Sequence, residues 1–259
     1  VRRRTLKTPG DWLPGARSVF VFALRYHREV LRWCTKPPAE AVGPYAYETY
    51  FTHTLGQIVG YQLIRELSRF GYAGVLAADL TGDASLTASP RTPQPDLFAN
   101  RFAGLAAGLG YLTVSGHLAT PQFGLRQRIV AVVTDAPLAA SPLPGPPASG
   151  IRCTRCDRRC VAACPSKAIT ARTATVTLEG HAWSFQVIDA LRCDWVKQYA
   201  LMGDGGYKYL GSTVDIAPPE TITAEALDGA LRQLDPIKKY RPAAAEPCVM
   251  QCPLATEGG

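Results

Sequence analysis

Long hydrophobic runs are missing from this sequence. No apolar stretch among its 259 residues reaches the ~18 residues that a membrane-spanning helix requires. The consecutive arginines in VRRRTLKTPGDWLPG are not followed by a hydrophobic segment, so the pattern of a secretory or twin-arginine signal is absent. We therefore expect a soluble, cytoplasmic protein with no membrane span.

Acidic residues are fewer than basic ones. The chain has 21 aspartate and glutamate residues against 28 lysine and arginine residues, a net charge of +7. This balance indicates either an anionic partner, such as nucleic acid, a phosphorylated ligand or an acidic redox protein, or simply a solvated basic surface. Both interpretations stay open.

Eight cysteines are present, but the features of a small disulfide-rich secreted domain are not. Four of them form C-x2-C-x3-C-x3-C-P (153–165), and CVMQCP (248–253) repeats its C-x3-C-P ending. Bacterial ferredoxin loops run C-x2-C-x2-C-x3-C-P, so the first motif carries one extra residue, which a loop can absorb as a bulge. The repeated ending favours iron-sulfur clusters over structural zinc. The ligand candidates are Cys153, Cys156, Cys160, Cys164, Cys193, Cys248 and Cys252.

These ligands can be divided between two clusters. In two-cluster ferredoxins, the cysteine of each Cys-Pro pair ligates the other motif's cluster. The rule assigns a full set of four to a first, 4Fe-4S cluster: Cys153, Cys156, Cys160 and Cys252. It leaves three for a second cluster: Cys164, Cys193 and Cys248. The position expected to supply a fourth ligand holds Ala245. Three alternatives stay open there: a three-iron or site-differentiated cluster, a non-cysteine ligand such as Glu246, and recruitment of Cys34.

Apolar patterning predicts an α/β (α+β) fold. Apolar runs predict strands at 16–26, 72–80 and 127–138 and a hairpin at 174–187, whereas helical periodicity predicts helices at 50–70, 96–110 and 223–234. Gly71 is expected to end the first of these helices. The Pro-, Gly- and Ser-rich segment 139–150 predicts a linker between a domain of residues 1–140 and one of residues 151–259.

Several short motifs resemble a known pair of families. AGLG, GHL, P-x-FG and TD-x-PL, all within 103–138, together with the cysteine loop and DALRC (189–193), are similar to the core of epoxyqueuosine reductases and corrinoid-dependent reductive dehalogenases. The resemblance implies a nitroreductase-like sandwich domain that holds cobalamin and a small ferredoxin-like domain that holds two 4Fe-4S clusters in a relay toward it. It also places five residues at the cofactor: Gly108, Gly110, Gly116, His117 and Gly124.

A reductase of this kind also needs a proton donor near the reacting atoms. Epoxyqueuosine reductases carry an aspartate after YA-x-G-x-D, and reductive dehalogenases use a tyrosine near the start of the corresponding helix. Matching YAYETY (45–50) onto this pattern places Tyr50 at the position of the aspartate. Tyr50 is therefore a candidate acid or simply an aromatic at a helix start. His53 is an alternative donor or an ordinary surface histidine.

The resemblance implies an iron-sulfur oxidoreductase that uses cobalamin to cleave a carbon-halogen or carbon-oxygen bond of a small substrate. A low-potential donor such as ferredoxin or flavodoxin would supply the electrons. One alternative is an epoxyqueuosine reductase acting on tRNA. The end of the chain soon after Cys252 and the tyrosine at position 50 count against it, and the basic charge counts for it. Two more are a corrinoid-free iron-sulfur reductase, which uses the three-cysteine cluster, and an electron-transfer protein.

Overall fold

The computed structural model describes residues 7–33, 43–77, 100–143, 153, 156–197, 199, 201–202, 214–235 and 247–256. The predictions for Cys34, Ala245 and Glu246 lie outside these residues, as does the side chain of Tyr50. The helices are α1 (Pro9–Trp12), α2 (Arg28–Trp33), α3 (Gly43–Arg69), α4 (Asn100–Ala106), α5 (Arg159–Ala162), α6 (Ala190–Lys197), α7 (Ala224–Leu231), α8 (Pro247–Met250) and α9 (Pro253–Thr256). The strands are β1 (Ser18–Arg25), β2 (Gly74–Ala77), β3 (Tyr111–Leu112), β4 (Leu118–Ala119), β5 (Gln127–Thr134), β6 (Ile169–Leu178) and β7 (His181–Ile188).

An antiparallel sheet of order β1-β5-β2 forms the centre of the first part of the chain. The predicted strands at 16–26, 72–80 and 127–138 are confirmed, although each is shorter than the apolar run that predicted it. The central strand is β5, and it is buried from Val130 to Thr134. A strand covered on both faces is expected to be apolar at consecutive positions, as this one is.

Helix α3 covers one face of this sheet. Its glycines allow a close approach, since a Cβ on Gly60 would lie 2.6 Å from the Leu76 side chain and one on Gly56 would lie 2.6 Å from that of Val130. The helix predicted at 50–70 is confirmed and begins earlier, at Gly43. It ends where predicted, with Gly71 in the left-handed region at φ 83°.

Helix α4 covers the opposite face. Ala103 and Ala107 pack on a buried cluster that includes Ala131 and Val133 of β5. The helix predicted at 96–110 is confirmed over residues 100–106 and ends before Gly108, which adopts φ 74°. Helices on both faces of a central sheet make the sandwich that the resemblance implied, and the mixture of elements confirms the α/β (α+β) class.

The β6–β7 hairpin confirms the one predicted at 174–187. It extends over 169–188 and turns at Glu179 and Gly180, both of which have positive φ. Trp183 and Phe185 of β7 pack into a buried cluster with Leu105, Leu112 and Leu118 from the first part of the chain. The hairpin therefore belongs to a core that is formed by residues from both sides of the predicted linker.

A second core cluster also joins the two parts of the chain. Tyr26, Val30 and Leu31 pack with Val249, Cys252 and Leu254. Residues 139–143 of the predicted linker have no regular secondary structure, and the division into two domains stays a prediction. Among the described helices, none has the length and apolarity needed to cross a membrane.

Candidate metal centre

The first cysteine motif forms a tight turn that leads into α5. Asp157 and Arg158 both adopt left-handed backbone conformations, with φ 47° and 53°, and Arg158 is the residue that caps the helix. Non-glycine residues rarely occupy this region. The two lie between Cys156 and Cys160, where this motif is one residue longer than a ferredoxin loop. The extra residue is thus absorbed by the turn, and Cys160 is buried within α5.

Four of the predicted ligands act on one another electrostatically. Burial raises the pKa of the Cys160 thiol, and Cys153 and Cys156 raise it further. Burial likewise raises the pKa of Cys252 to about 11, and Cys160 and Cys153 add to this rise. Cys252 therefore lies beside the first motif, although the sequence places it in a distant segment. The crossover rule assigns these four cysteines to the first cluster, and that assignment stays a prediction.

The turn between β3 and β4 (residues 113–117, the β3–β4 turn) borders these cysteines. The backbone N–H of Val114 donates a hydrogen bond to the Cys153 sulfur, with an N···S distance of 3.1 Å. Ser115, the next residue, directs its hydroxyl to the Thr113 hydroxyl at 3.1 Å and to Nδ1 of His117 at 2.9 Å. Hydrogen bonds to cysteine sulfur stabilise the thiolate and tune an iron-sulfur cluster.

Tyr111 is a further neighbour of this site. Burial raises the pKa of its phenol, and Cys153 and Cys252 raise it further. Neither Tyr111 nor the β3–β4 turn was predicted as part of a metal site. They precede the first cysteine of the motif by some forty positions, and the sequence predicted a cofactor contact for Gly116 and His117 rather than a contact with the cysteines.

The remaining predicted ligands lie on three other segments. The Ala168 N–H donates to the Cys164 sulfur at 3.2 Å. The guanidinium of Arg192, the residue before Cys193, donates to the Ser166 carbonyl at 3.2 Å, so the start of α6 is tied to the Cys164 loop. Cys248 lies on α8, which packs against α5.

Within the described ranges, no three histidine, cysteine, aspartate or glutamate side chains converge closely enough to hold one metal ion. A fourth ligand for the second cluster stays a prediction, because all the proposed positions for it lie outside those ranges.

The glycines that the resemblance placed at a cofactor lie at close contacts within the chain. A Cβ on Gly108 would overlap the Pro142 carbonyl oxygen, and one on Gly110 would overlap that of Ala119. Gly116 faces Arg101 and Phe185, and Gly124 faces the Leu254 carbonyl. Chain packing accounts for the absence of a side chain at these four positions. Contact with a cofactor there stays a prediction.

The polar residues predicted to bind the cofactor or to donate a proton lie on two different elements. His117 belongs to the β3–β4 turn, and its Nδ1 is 2.9 Å from the Ser115 hydroxyl, so it borders the cysteine site. Tyr50 and His53 are one turn apart on α3. The His53 ring is 3.2 Å from the Gln57 amide, and burial followed by the charge of Arg128 lowers its pKa. A role for Tyr50 or His53 in proton transfer stays a prediction.

Comparison with protein-family models and with curated proteins gave no match. Solved structures do match. Two structures of reductive dehalogenases align with 69% of this chain and 23% of theirs, at 19% identity and a TM-score of 0.52. One is the catabolic enzyme NpRdhA in complex with 3-bromo-4-hydroxybenzoic acid, and the other is described as suggesting a mechanism for B12-dependent dehalogenation.

Two epoxyqueuosine reductase structures align over more of this chain. A selenomethionine-labelled one covers 98% of it at 15% identity and a TM-score of 0.52, and the enzyme from Streptococcus thermophilus covers 95% at 13% identity and 0.51. The chain spans about half the length of these reductases, 52% and 51%, and about a quarter of the dehalogenases. These likenesses show the fold: the chain folds like reductive dehalogenases and epoxyqueuosine reductases, the two families that its motifs resemble.

Proposed function

We propose that this protein is an iron-sulfur oxidoreductase with a 4Fe-4S cluster at Cys153, Cys156, Cys160 and Cys252. The observation that carries the proposal is the packing of α8, which lies just before Cys252, against α5, which contains Cys160; both Cys160 and Cys153 raise the pKa of the Cys252 thiol. Four thiols from two Cys-Pro motifs are the donor set that ferredoxin-type clusters use. The residues present therefore fit this cluster.

The surrounding chain supplies what such a cluster needs. The Val114 N–H donates to the Cys153 sulfur, and Cys160 and Cys252 are each less than a tenth exposed. Burial and hydrogen bonds to sulfur are two of the factors that set the potential of a cluster. When bound, the cluster would supply one-electron transfer. A second cluster at Cys164, Cys193 and Cys248 would extend the path toward a low-potential donor such as ferredoxin or flavodoxin.

The finer proposal is cobalamin-dependent reductive cleavage of a carbon-halogen or carbon-oxygen bond in a small substrate. It is supported by the likeness in fold to dehalogenases, one of which was solved with a brominated hydroxybenzoate. In this proposal Tyr50 or His53 on α3 donates the proton that replaces the leaving group. The four glycines contact the chain itself, so they add no support for cobalamin, and no step is derived through it.

A second candidate function is epoxyqueuosine reduction in tRNA. One observation favours it: two epoxyqueuosine reductase structures align with 98% and 95% of this chain, whereas the dehalogenases align with 69%. The net charge of +7 suits an RNA partner. Binding of a tRNA stem-loop that weakens steeply with salt would support this candidate, and binding of a brominated phenol without tRNA binding would count against it.

Anaerobic purification with iron, sulfide, zinc and cobalt counted together tests the proposal. We expect iron and sulfide in equal amounts, with an electron paramagnetic resonance signal after reduction. A colourless protein that holds only zinc would overturn the iron-sulfur function. Iron and sulfide without cobalt would leave the cluster in place but would reject cobalamin in favour of a corrinoid-free reductase or an electron-transfer protein.

A further inference from the structure

Val114 links the first cysteine to the β6–β7 hairpin through its own backbone. Its N–H donates to the Cys153 sulfur, with an N···S distance of 3.1 Å, and its carbonyl accepts from the Gln186 N–H of β7 at 2.7 Å. A backbone donor acts on a ligand sulfur only while its N–H points at that sulfur, because hydrogen bonds weaken steeply as the angle closes. The residues that fix the β3–β4 turn therefore control this hydrogen bond.

Arg101, in the first turn of α4, holds the other side of the β3–β4 turn. Its Nη1 donates to the Gly116 carbonyl at 2.8 Å. Its guanidinium lies over the rings of Phe102 and Phe185, 4.3 and 5.1 Å from their centroids, which is within the range of a cation–π interaction. Phe185 directly precedes Gln186, so Arg101 contacts both the turn and the strand that hydrogen-bonds the turn.

Close packing leaves this part of the turn little room to shift. A Cβ on Gly116 would lie 2.8 Å from Nη1 of Arg101 and 3.0 Å from the Phe185 ring. The helix that carries Arg101 is itself anchored, since the side-chain amide of Asn100, 1% exposed, donates to the Ile129 carbonyl of β5 at 3.0 Å. The Arg101 side chain thus connects the central sheet to the β3–β4 turn.

We propose that Arg101 is a positioning residue, which keeps the Val114 N–H directed at the Cys153 sulfur and thereby raises the reduction potential of the cluster bound there. The inference rests on the proposed iron-sulfur function. A reduced cluster carries more negative charge than an oxidised one, so a donor to its ligand sulfur stabilises the reduced form more. Loss of the positioned donor therefore lowers the potential.

The test is a redox titration of the cluster in the full chain, followed by electron paramagnetic resonance, for wild type, Arg101→Met and Phe185→Leu. The first variant removes the donor to Gly116 together with a charge, whereas the second keeps the charge and removes a ring from beside the guanidinium. We expect both to shift to a more negative potential. For Arg101→Met the equilibrium constant for reduction should fall about tenfold, which is about 59 mV for one electron.

Arg69→Met is the matched control. It removes the same charge, but Arg69 pairs with Glu66 at 2.9 Å on the exposed surface of α3, so the potential should stay at the wild-type value. A shift in Arg101→Met that Arg69→Met shares, or that Phe185→Leu lacks, would overturn the inference, because loss of charge would then account for it.

A wild-type or more positive potential in Arg101→Met would overturn this inference while leaving the iron-sulfur function intact. A wild-type protein without iron would overturn both. If either variant takes up no iron, amide hydrogen exchange of the metal-free proteins decides. Faster exchange than in wild type at Val114 but not in β5 supports the role of Arg101, and any other pattern rejects it.

Discussion

Gly124 packs its α-carbon directly against the backbone carbonyl of Leu254. A Cβ at Gly124 would overlap that oxygen, and the glycine adopts φ 57° in the turn bridged by Thr120 and Gly124. Leu254 is two residues beyond Cys252. The P-x-FG turn therefore holds the second Cys-Pro segment in position, and the position of Cys252, a proposed cluster ligand, depends on a glycine in a distant part of the chain.

Replacing Gly124 with alanine should both strain the turn and displace the segment that carries Cys252. We expect Gly124→Ala to lower the free energy of unfolding by about 1–3 kcal/mol or more, and to reduce the bound iron. Denaturant unfolding and iron analysis measure these two effects.

Gly229→Ala is the matched control for Gly124→Ala. Gly229 lies inside α7, and no atom stands within 4 Å of the position that a Cβ would take. Alanine there should raise the stability by about 0.5–1 kcal/mol, since glycine is the poorer helix former. Equal effects of the two substitutions would contradict the contact between Gly124 and Leu254.

Cys248 and Cys252, four residues apart, should belong to different clusters. We predict that Cys252→Ala changes the same spectroscopic signal as Cys153→Ala, whereas Cys248→Ala changes the other signal, as Cys164→Ala does. Iron counts and spectra of the reduced variants test this partition. Identical spectra for Cys252→Ala and Cys248→Ala would show that the crossover rule does not hold in this chain.

The half-buried His53 should make the fold sensitive to mild acid. Burial, and then Arg128, lower its pKa below the ordinary 6.5, so the unfolded chain binds the proton more tightly than the folded chain does. Stability from neutral His53 is therefore present above pH 6.5 and is lost as the pH falls through 6.5 toward the lower native pKa. We expect His53→Gln to lose less stability than wild type over that window in pH-dependent denaturant unfolding. The same loss in both proteins would assign the acid sensitivity to other groups.

Only one face of the β6–β7 hairpin should stabilise its packing against the first part of the chain. Phe185 is buried in the cluster with Leu105 and Leu118, so Phe185→Ala should cost about 3–5 kcal/mol. Ser184, its neighbour on the exposed face, bonds only Thr175 across the hairpin among its described contacts. Ser184→Ala should therefore change the stability by less than about 0.5 kcal/mol. Thermal unfolding of both variants compares the two faces, and equal losses would contradict the packing.

If Tyr50 is the proton donor, Tyr50→Phe should slow turnover about 100-fold or more, because the phenol hydroxyl is removed while the ring is kept. The assay would use reduced viologen as donor and 3-bromo-4-hydroxybenzoic acid as probe substrate, with iron content measured in parallel. Unchanged turnover would remove Tyr50 from the mechanism, and His53→Gln would then test the alternative donor.

The sequence predicted the elements whose patterns are strong and local. The apolar run of β5, the periodicity of α3 with its stop at Gly71, and the turn of the β6–β7 hairpin are all present. Cys153, Cys156 and Cys160 could be proposed as ligands because cluster ligation imposes a spacing that one chain segment displays by itself, and Cys252 by the crossover rule; their ligation of a cluster stays a prediction.

Other parts of the site have no such signature. Val114 reaches Cys153 only because β3 and β4 close a turn against the hairpin, a relationship between segments distant in sequence. The glycines of the AGLG and P-x-FG motifs were predicted to contact a cofactor, yet in the structure they contact backbone of the same chain. A glycine in the sequence indicates that a side chain would not fit at that position, but it does not indicate whether a cofactor or the chain itself occupies the space.

The presence of Cys252 beside Cys160 has a consequence for unfolding. Ligation of both by one cluster would crosslink two segments that the sequence places about a hundred residues apart. By the chain-entropy model for disulfides, closing a loop of that size disfavours the unfolded state by about 4.7 kcal/mol. Oxidative loss of the cluster would then remove a crosslink together with an electron path, so oxygen damage and thermal unfolding of this protein would be coupled.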